Sequence, residues 1–289
     1  MQSMHSGEFS SIAFIGGGSM ARALIAGLLR QGVPADQISV GEPSADARAA
    51  LQRECAINVR ADNAEAAAGA DLVVLAVKPQ QAAAALQALR SALRERAPVL
   101  LSIAAGLRIA DLALACPPGI AIVRAMPNRP ALVGAGVTGL YAQREASSAQ
   151  RALAARVAAA SGRALWLRSE AELDVVTALS GSGPAYFFLL AEQMAKAAEA
   201  LGLEHHTAAL LAADTLHGAG LLAHQGAPLA EQRAAVTSRG GTTEAALQVL
   251  QQGGFDDLVA RALQAGAARS VQLGDMLSGA PAVSVPASQ

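Results

Sequence analysis

The stretch SIAFIGGGSMARALIAGLL, residues 11–29, runs from a short apolar segment through three glycines into a pattern typical of a helix. Ile12–Ile15 predicts a buried strand, and Met20–Gln31 predicts the helix that follows it. Gly16 and Gly18, with an alanine in the third place, fit the pattern G-x-G-x-x-A. Such a turn either packs a helix closely on a strand or receives the phosphates of a dinucleotide, and its spacing alone does not decide between the two.

The alternation of strand and helix continues through the first part of the chain. Runs rich in Val, Ile and Leu without polar alternation indicate strands of a parallel sheet that is buried on both faces. Their alternation with helices predicts a doubly wound sheet of the Rossmann type, an α/β fold. The further strands are predicted at Ile38–Val40, Leu72–Val77, Val99–Ile103, Ile120–Arg124, Gly136–Tyr141 and Ala164–Leu167, and the further helices at Ala45–Glu54, Gln80–Arg94, Ile109–Ala115 and about Ser147–Ala160. Trp166, on the last of these strands, is predicted to lie in the core.

After about Arg168 only helical patterns follow one another, which predicts an all-helical second domain. We therefore divide the chain into a Rossmann-type domain (1–168) and a helical domain (169–277). The last residues, 278–289, are small and rich in proline, and we expect them to be disordered. The helices are predicted at Glu170–Leu179, Pro184–Leu201, His206–His224, Pro228–Val236, Thr243–Gln251 and Phe255–Leu273.

The charge and composition exclude several classes of function. A formal net charge of −1 gives no concentrated basic face, so we expect no nucleic-acid partner. None of the five histidines joins a cysteine or carboxylate at metal-ligand spacing, so we expect no metal. Aromatic residues are scarce and alanine is abundant, which favours tightly packed helices that self-associate.

The chain start and the cysteines bear on the compartment. MQSMHSGEFSS lacks the features of a signal peptide, and the apolar run Ala185–Ala191 is too short to span a bilayer. Cys55 and Cys116 lie far apart in unlike contexts; a disulfide is not excluded, but two reduced thiols fit a cytosolic protein better. We therefore expect a cytoplasmic protein that does not contact a membrane.

An acidic residue stands at the position where the Rossmann pattern expects one. Glu42 follows the second predicted strand, and its carboxylate is suited to accept hydrogen bonds from the ribose hydroxyls of NAD and to repel a 2′-phosphate. Ser44 and Arg48 lie close by and are suited to accept such a phosphate. A solvated loop acid explains Glu42 equally well. The choice between NADH and NADPH therefore stays open, with a slight preference for NADH or for both.

Three later strand ends lie on the same edge of the predicted sheet. The first ends in Lys78-Pro79, the second in the small residues Ala104-Ala105-Gly106, and the third leads to Asn128. Because ligands of open α/β sheets bind at the carboxyl ends of the strands, these segments are expected to line one crevice with the glycine turn.

The motifs GGGSMA, AVKPQ, SIAAG, RAMPNRPALVGAG, LSGSGPAYFF and TSRGGTTEAAL occur in this order. Together they resemble the pyrroline-5-carboxylate reductase family, over nearly the whole chain from about Ser11 to Leu273. The resemblance implies reduction of the cyclic imine 1-pyrroline-5-carboxylate to L-proline, the last step of proline biosynthesis, with NADPH or NADH as cofactor. It implies that the domain 1–168 binds NAD(P) and that the domain 169–277 serves dimerisation and substrate binding. It also implies a homodimer of interlocked subunits that assembles into a higher homo-oligomer.

The resemblance also implies the site residues. Substrate is expected to contact Ser238, Gly241, Thr242 and Thr243, with the Thr243 hydroxyl nearest the imine nitrogen as the catalytic hydrogen-bond partner. From the residues alone, Thr242 or Thr243 is more simply a cap of the helix that follows. The expected cofactor-binding residues are Gly16, Gly18, Ser19, Met20, Glu42, Ser44, Asn63, Ala76, Val77, Lys78, Pro79, Ala104, Ala105, Gly106 and Asn128.

Two positions depart from the family pattern. Arg129 stands where the family commonly has threonine, and Arg239 stands where it commonly has proline. Each of these side chains either points into solvent or adds to anion binding, and we expect Arg239 to add to anion binding.

Two other functions compete with this interpretation. One competitor is a β-hydroxyacid-dehydrogenase-like enzyme, a class that usually relies on a lysine in the helical domain, where this chain has only Lys196. The other is a catalytically inactive nucleotide-sensing protein.

Overall fold

The computed structural model describes residues 10–278 of the chain. These residues form two compact units: residues 10–181 together with 266–278, and Ser182–Ala265. We call them unit 1 and unit 2. Unit 1 contains a sheet with helices, whereas the described part of unit 2 consists of helices and their connections.

Unit 1 is built on one eight-stranded sheet with the strand order β3-β2-β1-β4-β5-β6-β7-β8. All pairs from β3 to β6 are parallel, which confirms the predicted doubly wound sheet. The order reverses between β1 and β4, and such a switch point is where ligands bind in open α/β sheets. The strands are β1 (Ile12–Ile15), β2 (Ile38–Gly41), β3 (Asn58–Arg60), β4 (Leu72–Leu75), β5 (Val99–Ser102), β6 (Ile122–Met126), β7 (Gly136–Ala142) and β8 (Gly162–Trp166).

The helices of unit 1 cover both faces of this sheet. Alternate residues of β1 show the two faces: Ile12 and Phe14 pack into one core cluster, and Ala13 and Ile15 into another. Burial on both faces explains why the central strands are continuously apolar. The helices are α1 (Ser19–Arg30), α2 (Ala45–Glu54), α3 (Asn63–Ala67), α4 (Ala82–Ala88), α5 (Arg90–Arg96), α6 (Ile109–Ala115), α7 (Ser148–Ala158) and α8 (Glu172–Val176).

The strand β7 runs antiparallel to β6, although β8 is again parallel to β7. Only a short connection with one 3₁₀ turn, Arg129–Val133, joins β6 to β7. A parallel return needs a longer crossover, so this short link produces an antiparallel neighbour.

Two elements were not predicted, and one residue prediction was wrong. The strand β3 is a short edge strand with polar ends, and α3 has five residues, so neither carries an apolar period that a sequence pattern can detect. Trp166 does not lie in the core: it is 40% exposed, and the Arg151 guanidinium lies 5.5 Å from the centroid of its ring. Trp166 ends β8, the strand at the far edge of the sheet, and an edge strand has a neighbour on one side only.

Unit 2 begins with a long helix and contains no strand in its described residues. The π-helical turn Thr177–Gly181 leads into it, and proline stands in the first turn of the first helix, as predicted. The helices are α9 (Gly183–Ala200), α10 (His205–His224), α11 (Leu229–Ala235), α12 (Thr242–Gln252) and α13 (Phe255–Ser278), the last of which ends in unit 1. The predicted tail, 278–289, starts at the last residue of α13, and residues 279–289 lie outside the described residues.

Large apolar side chains on α9 and α10 are exposed. Phe187 and Phe188 each expose about three fifths of their surface, at 59% and 61%. Among the described residues, the helical run Glu172–Ala200 is long and apolar enough to cross a membrane by length and composition alone, and 17% of its apolar window is buried. The sequence pattern had suggested only the short run Ala185–Ala191, because it did not join α8, the π-helical turn and α9 into one segment.

The two cysteines are free thiols. Cys116 is buried in the core of unit 1, and this burial raises the pKa of its thiol to about 11. Burial also raises the pKa of Cys55, which lies at the end of α2. Both thiols are therefore protonated and poorly nucleophilic near neutral pH.

Candidate active site

The glycine turn lies at the switch point of the sheet, against the end of β4. Gly16 has a φ of +99°, and a Cβ at this position would stand 2.9 Å from the carbonyl oxygen of Ala76. Its N–H donates to the carbonyl oxygen of Gly41, at 2.9 Å. Only glycine fits this conformation and this close approach without strain, so the turn joins the ends of three neighbouring strands.

Gly18 opens towards free space. It is the N-cap of α1 with φ −68° and ψ 176°, no side chain caps the helix, and no atom of the described residues lies within 4 Å of the place that a Cβ would occupy. The first-turn N–H groups of Ser19 and Met20 therefore have no capping partner, and the positive end of the helix dipole faces the opening. This uncovered cradle fits the pyrophosphate of a dinucleotide.

The Glu42 side chain lies beside the glycine turn and is hydrogen-bonded to its backbone. Its Oε2 accepts a hydrogen bond from the Gly17 N–H and its Oε1 accepts one from the Ser44 N–H, both at 3.0 Å. The Arg48 guanidinium donates to the carbonyl oxygens of Glu42 and Pro43, at 2.9 and 2.7 Å. The carboxylate is therefore fixed at the glycine turn, and Arg48 is used to hold the loop that carries it.

Asn63 presents an acceptor without a partner. Its side chain packs against Gly41, where a Cβ would overlap it, and its Oδ1 is buried with no hydrogen-bond partner among the described residues. A buried polar atom of this kind is costly unless a ligand or water satisfies it. The open side of Gly18 thus fits a bound nucleotide, and the contact of Asn63 with the cofactor stays a prediction.

The predicted residues after β4 and β5 also lie at this edge. Ala76 is tied to β1 by its N–H, which donates to Ile15, while Lys78 is exposed just before the 3₁₀ turn Pro79–Gln81. After β5, Ala104 is buried, and Gly106 has a φ of +81°. Small residues here leave room for a flat ring beside the strand ends.

Asn128 is buried at the end of β6, and both ends of its amide are used. Its Nδ2 donates to the carbonyl oxygen of Ser180 at 3.1 Å, and its Oδ1 accepts from the Val137 N–H at 2.9 Å. The residue therefore holds β7 and the π-helical turn to the end of β6. Its contact with the cofactor stays a prediction. The neighbouring Arg129 is exposed.

The predicted substrate segment lies in unit 2, at the start of α12. Neither Thr242 nor Thr243 caps this helix, contrary to the expectation from local sequence: the N-cap is Gly241, and it has no side-chain capping bond. The Gly240 N–H donates to the Glu244 carboxylate at 2.7 Å, with Gly240 at a φ of +72°. The N–H groups of the first helical turn are left for an anion. Ser238 and Arg239 precede this turn, and both are exposed.

Sequence reasoning missed Arg22, which supports the glycine turn from inside α1. Its Nε donates to the carbonyl oxygen of Gly17 at 3.0 Å, and its Nη1 pairs with the Glu54 carboxylate at 2.6 Å. Nothing in the local pattern distinguishes this arginine from a solvated one.

Among the described residues, no group of three or more His, Cys, Asp or Glu side chains is arranged to hold a metal ion.

Two family models match the chain. One, described as pyrroline-5-carboxylate reductase dimerisation, matches residues 170–273. The other, described as NADP oxidoreductase coenzyme F420-dependent, matches residues 11–106.

Individual relatives cover almost the whole chain. The pyrroline-5-carboxylate reductase of Pseudomonas aeruginosa is 49% identical over 267 residues, which is 92% of this chain and 97% of the relative. The solved structure of a pyrroline-5-carboxylate reductase from Coxiella burnetii is 40% identical with a TM-score of 0.88, covering 91% of this chain and 98% of that one. The structure of Plasmodium falciparum pyrroline carboxylate reductase with NADP bound is 27% identical with a TM-score of 0.78, covering 92% and 99%. The chain therefore belongs to the pyrroline-5-carboxylate reductase family.

Proposed function

We propose that this protein reduces 1-pyrroline-5-carboxylate to L-proline with NADPH or NADH, the last step of proline biosynthesis. The observation that carries the proposal is the uncapped start of α12 at Gly241–Thr243, inside the segment that matches the dimerisation model of this family. A site for this substrate needs an anion pocket for its carboxylate and a hydrogen-bonding group for its imine nitrogen. The start of α12 offers both kinds of group.

The dinucleotide belongs to unit 1 in this proposal. When bound, it supplies the hydride that reduces the imine carbon. The backbone N–H groups at Gly18, Ser19 and Met20 bind its pyrophosphate. The remaining predicted cofactor contacts fall into three sets: Glu42, Ser44 and Asn63 at the adenosine ribose, residues 76–79 along the end of β4, and Ala104, Ala105 and Gly106 beside the nicotinamide, with Asn128 at the same edge.

In this proposal the residues that bind the substrate lie in unit 2. The free N–H groups of the first turn of α12 bind the substrate carboxylate, which also meets the positive end of the helix dipole. Ser238 and Arg239 stand before this turn and add polar and cationic groups for the anion. The Thr243 hydroxyl donates a hydrogen bond to the imine nitrogen. A hydroxyl is too weak an acid to protonate the substrate fully near pH 7, so we attribute the rate mainly to orientation and electrostatics.

Replacement of Thr243 by valine is expected to lower kcat/KM for pyrroline-5-carboxylate by about tenfold, because one hydrogen bond to the reacting centre is lost while the shape of the side chain is kept. The affinity for NADPH and NADH should stay unchanged. Steady-state kinetics and equilibrium binding of both dinucleotides measure the two quantities.

Thr237→Val is the matched control for this variant. The Thr237 hydroxyl already donates to the carbonyl oxygen of Arg233 at 2.7 Å, so it is used within its own segment. A loss of kcat/KM equal in both variants would contradict the role given to Thr243.

One assay separates the proposed activity from its competitors. The purified protein is given NADH or NADPH with chemically prepared pyrroline-5-carboxylate, and dinucleotide oxidation and proline formation are followed together. Binding of dinucleotide without turnover would favour a nucleotide sensor. Oxidation of a β-hydroxyacid without imine reduction would favour the dehydrogenase.

We infer that unit 2 associates with a second copy of the chain as a homodimer, which assembles further into a higher homo-oligomer in the cytoplasm. The exposed apolar side chains of α9 and α10 support this, because such a surface on a monomer normally marks an interface. The charged residues Glu192, Lys196 and Glu199 on α9 argue for a protein partner rather than a bilayer. The match to the dimerisation model also supports a functional division at 168/169, with residues 169–277 as the dimerisation and substrate part, although the compact units divide after Gly181.

Analytical ultracentrifugation in detergent-free buffer is expected to give a dimer or a multiple of dimers. Replacing Phe187 and Phe188 with serine should shift the distribution to smaller species, because apolar burial drives the association. A wild-type monomer that co-sediments with phospholipid vesicles would contradict the inference.

A further inference from the structure

The loop that follows β5 is held from behind by the end of α13. Gly106 and Gly274 face each other so closely that a Cβ at Gly274 would stand 3.1 Å from the carbonyl oxygen of Gly106. A Cβ at Gly106 would in turn stand 3.1 Å from the Leu277 side chain. The backbone of loop 103–107 and the backbone of α13 are therefore in van der Waals contact.

Polar bonds fix the same contact in one register. The Arg108 guanidinium donates to the Asp275 carboxylate at 2.5 Å, and the Ser278 hydroxyl donates to Asp111 Oδ2 at 2.7 Å. The same Asp111 oxygen accepts the Arg108 N–H at 3.1 Å. We call the four residues Arg108, Asp111, Asp275 and Ser278 the α6 latch. Gly274, Asp275 and Ser278 are less than two helical turns apart, so one end of α13 makes all these contacts.

A second element holds the start of α6 from the other side. Glu170 Oε1 accepts the Ile109 N–H at 2.8 Å and pairs with Arg124 Nη1 at 2.6 Å. The Arg124 side chain is only 10% exposed, so this pair is partly shielded from water. The first turn of α6 is thus anchored both to β6 and to α13.

We propose that Arg108 and Asp275 are positioning residues for the reduction. The α6 latch fixes the position of the backbone of loop 103–107, beside which the nicotinamide binds. This inference depends on the proposed function for the place of the nicotinamide. Neither residue touches the reacting atoms. They act through the backbone of Ala104–Gly106, which is joined to Arg108 through Leu107 alone.

The polar bonds of the α6 latch fix the position of α13 along its own axis relative to α6 and loop 103–107. Leu277 alone would hold the helix to the core, but an apolar contact tolerates sliding, whereas the Arg108–Asp275 pair and the Ser278–Asp111 bond specify one position. The Asp275 side chain is 14% exposed and that of Arg108 is 38% exposed, so water screens the pair only in part. Since hydride transfer depends steeply on distance, a small shift of this loop changes the rate more than it changes the fold.

Asp275→Asn tests the proposal in the full-length protein. We expect kcat to fall by about tenfold and the affinity for NADH to fall by a smaller factor. The affinity for ADP-ribose, which carries the adenosine and pyrophosphate but no nicotinamide, should stay within about twofold, since the glycine turn does not contact the latch. Asp257→Asn is the matched control, because it removes a carboxylate from an exposed pair with Arg261 on the same helix.

A double-mutant cycle with Arg108→Gln completes the test. The losses in kcat should be non-additive, since either variant alone breaks the pair. Equal losses of ADP-ribose and NADH affinity, or an unchanged kcat in Asp275→Asn, would overturn the proposal. If the wild-type protein does not reduce pyrroline-5-carboxylate, the proposed function fails separately, and the difference between NADH and ADP-ribose binding still tests the latch.

Discussion

Gly18→Ala is expected to lower the affinity for NADH and NADPH by at least about 100-fold, because at least two charge-assisted hydrogen bonds to phosphate, of about 1.5 kcal/mol or more each, are lost. The free energy of unfolding should change by less than about 1 kcal/mol. The dihedral angles of Gly18, φ −68° and ψ 176°, are open to any residue, and no described atom lies within 4 Å of an added Cβ. The new methyl group therefore fits the free protein but fills the space in which the pyrophosphate approaches the backbone.

Gly16→Ala separates this effect from a loss of folding. At Gly16 the φ of +99° and the Ala76 carbonyl oxygen, 2.9 Å from an added Cβ, make alanine strained even without a ligand. We expect it to lower the free energy of unfolding by about 1–3 kcal/mol in addition to weakening binding. Isothermal titration with each dinucleotide, together with denaturant unfolding, measures both quantities. Unchanged dinucleotide affinity in Gly18→Ala would show that the turn only packs helix on strand.

The central elements of unit 1 could be predicted because local and tertiary requirements agree there. The strands β1, β4 and β5 are buried on both faces, so each is an apolar run except for the buried Ser102 that ends β5. Gly16 marks the turn where a side chain would collide with the end of β4. Even the bounds of α2 and α6 agree with the sequence pattern. The short edge strand β3 and the five-residue α3 lack any such pattern.

The parts of the site that escaped prediction depend on contacts between distant residues. Arg108 and Asp275 are 167 positions apart, and nothing near either one indicates the other. The amide of Asn128 was assigned to the cofactor from its place at a strand end, yet its bonds to Val137 and Ser180 follow from how β7 and the π-helical turn pack. The cap of α12 was assigned to threonine by residue preference, whereas the helix begins at Thr242 and its N-cap is Gly241.

Glu42→Gln is expected to shift the preference between the two dinucleotides by about 30-fold towards NADPH, which corresponds to about 2 kcal/mol. In the wild-type protein the Glu42 carboxylate is held by the N–H groups of Gly17 and Ser44. A carboxylate fixed at the turn where we propose that the adenosine ribose binds repels a 2′-phosphate and accepts hydrogen bonds from a free 2′-hydroxyl. Glutamine keeps the shape of the side chain, removes the charge, and accepts one of the two hydrogen bonds from Gly17 and Ser44 with its single carbonyl oxygen.

Measured dissociation constants for NADH and NADPH, rather than rates, isolate this effect from the chemical step. Asp46→Asn is the matched control: Asp46 is an exposed acid in the first turn of α2, so its removal changes the net charge equally. Because a 2′-phosphate next to a fixed carboxylate is a short-range contact, the shift in Glu42→Gln should persist at raised salt, whereas any change in Asp46→Asn should be screened. A ratio of the two dissociation constants that is the same in Glu42→Gln and in the wild-type protein would mean that the carboxylate does not face the 2′-position, and that Glu42 serves only to brace the glycine turn through Gly17.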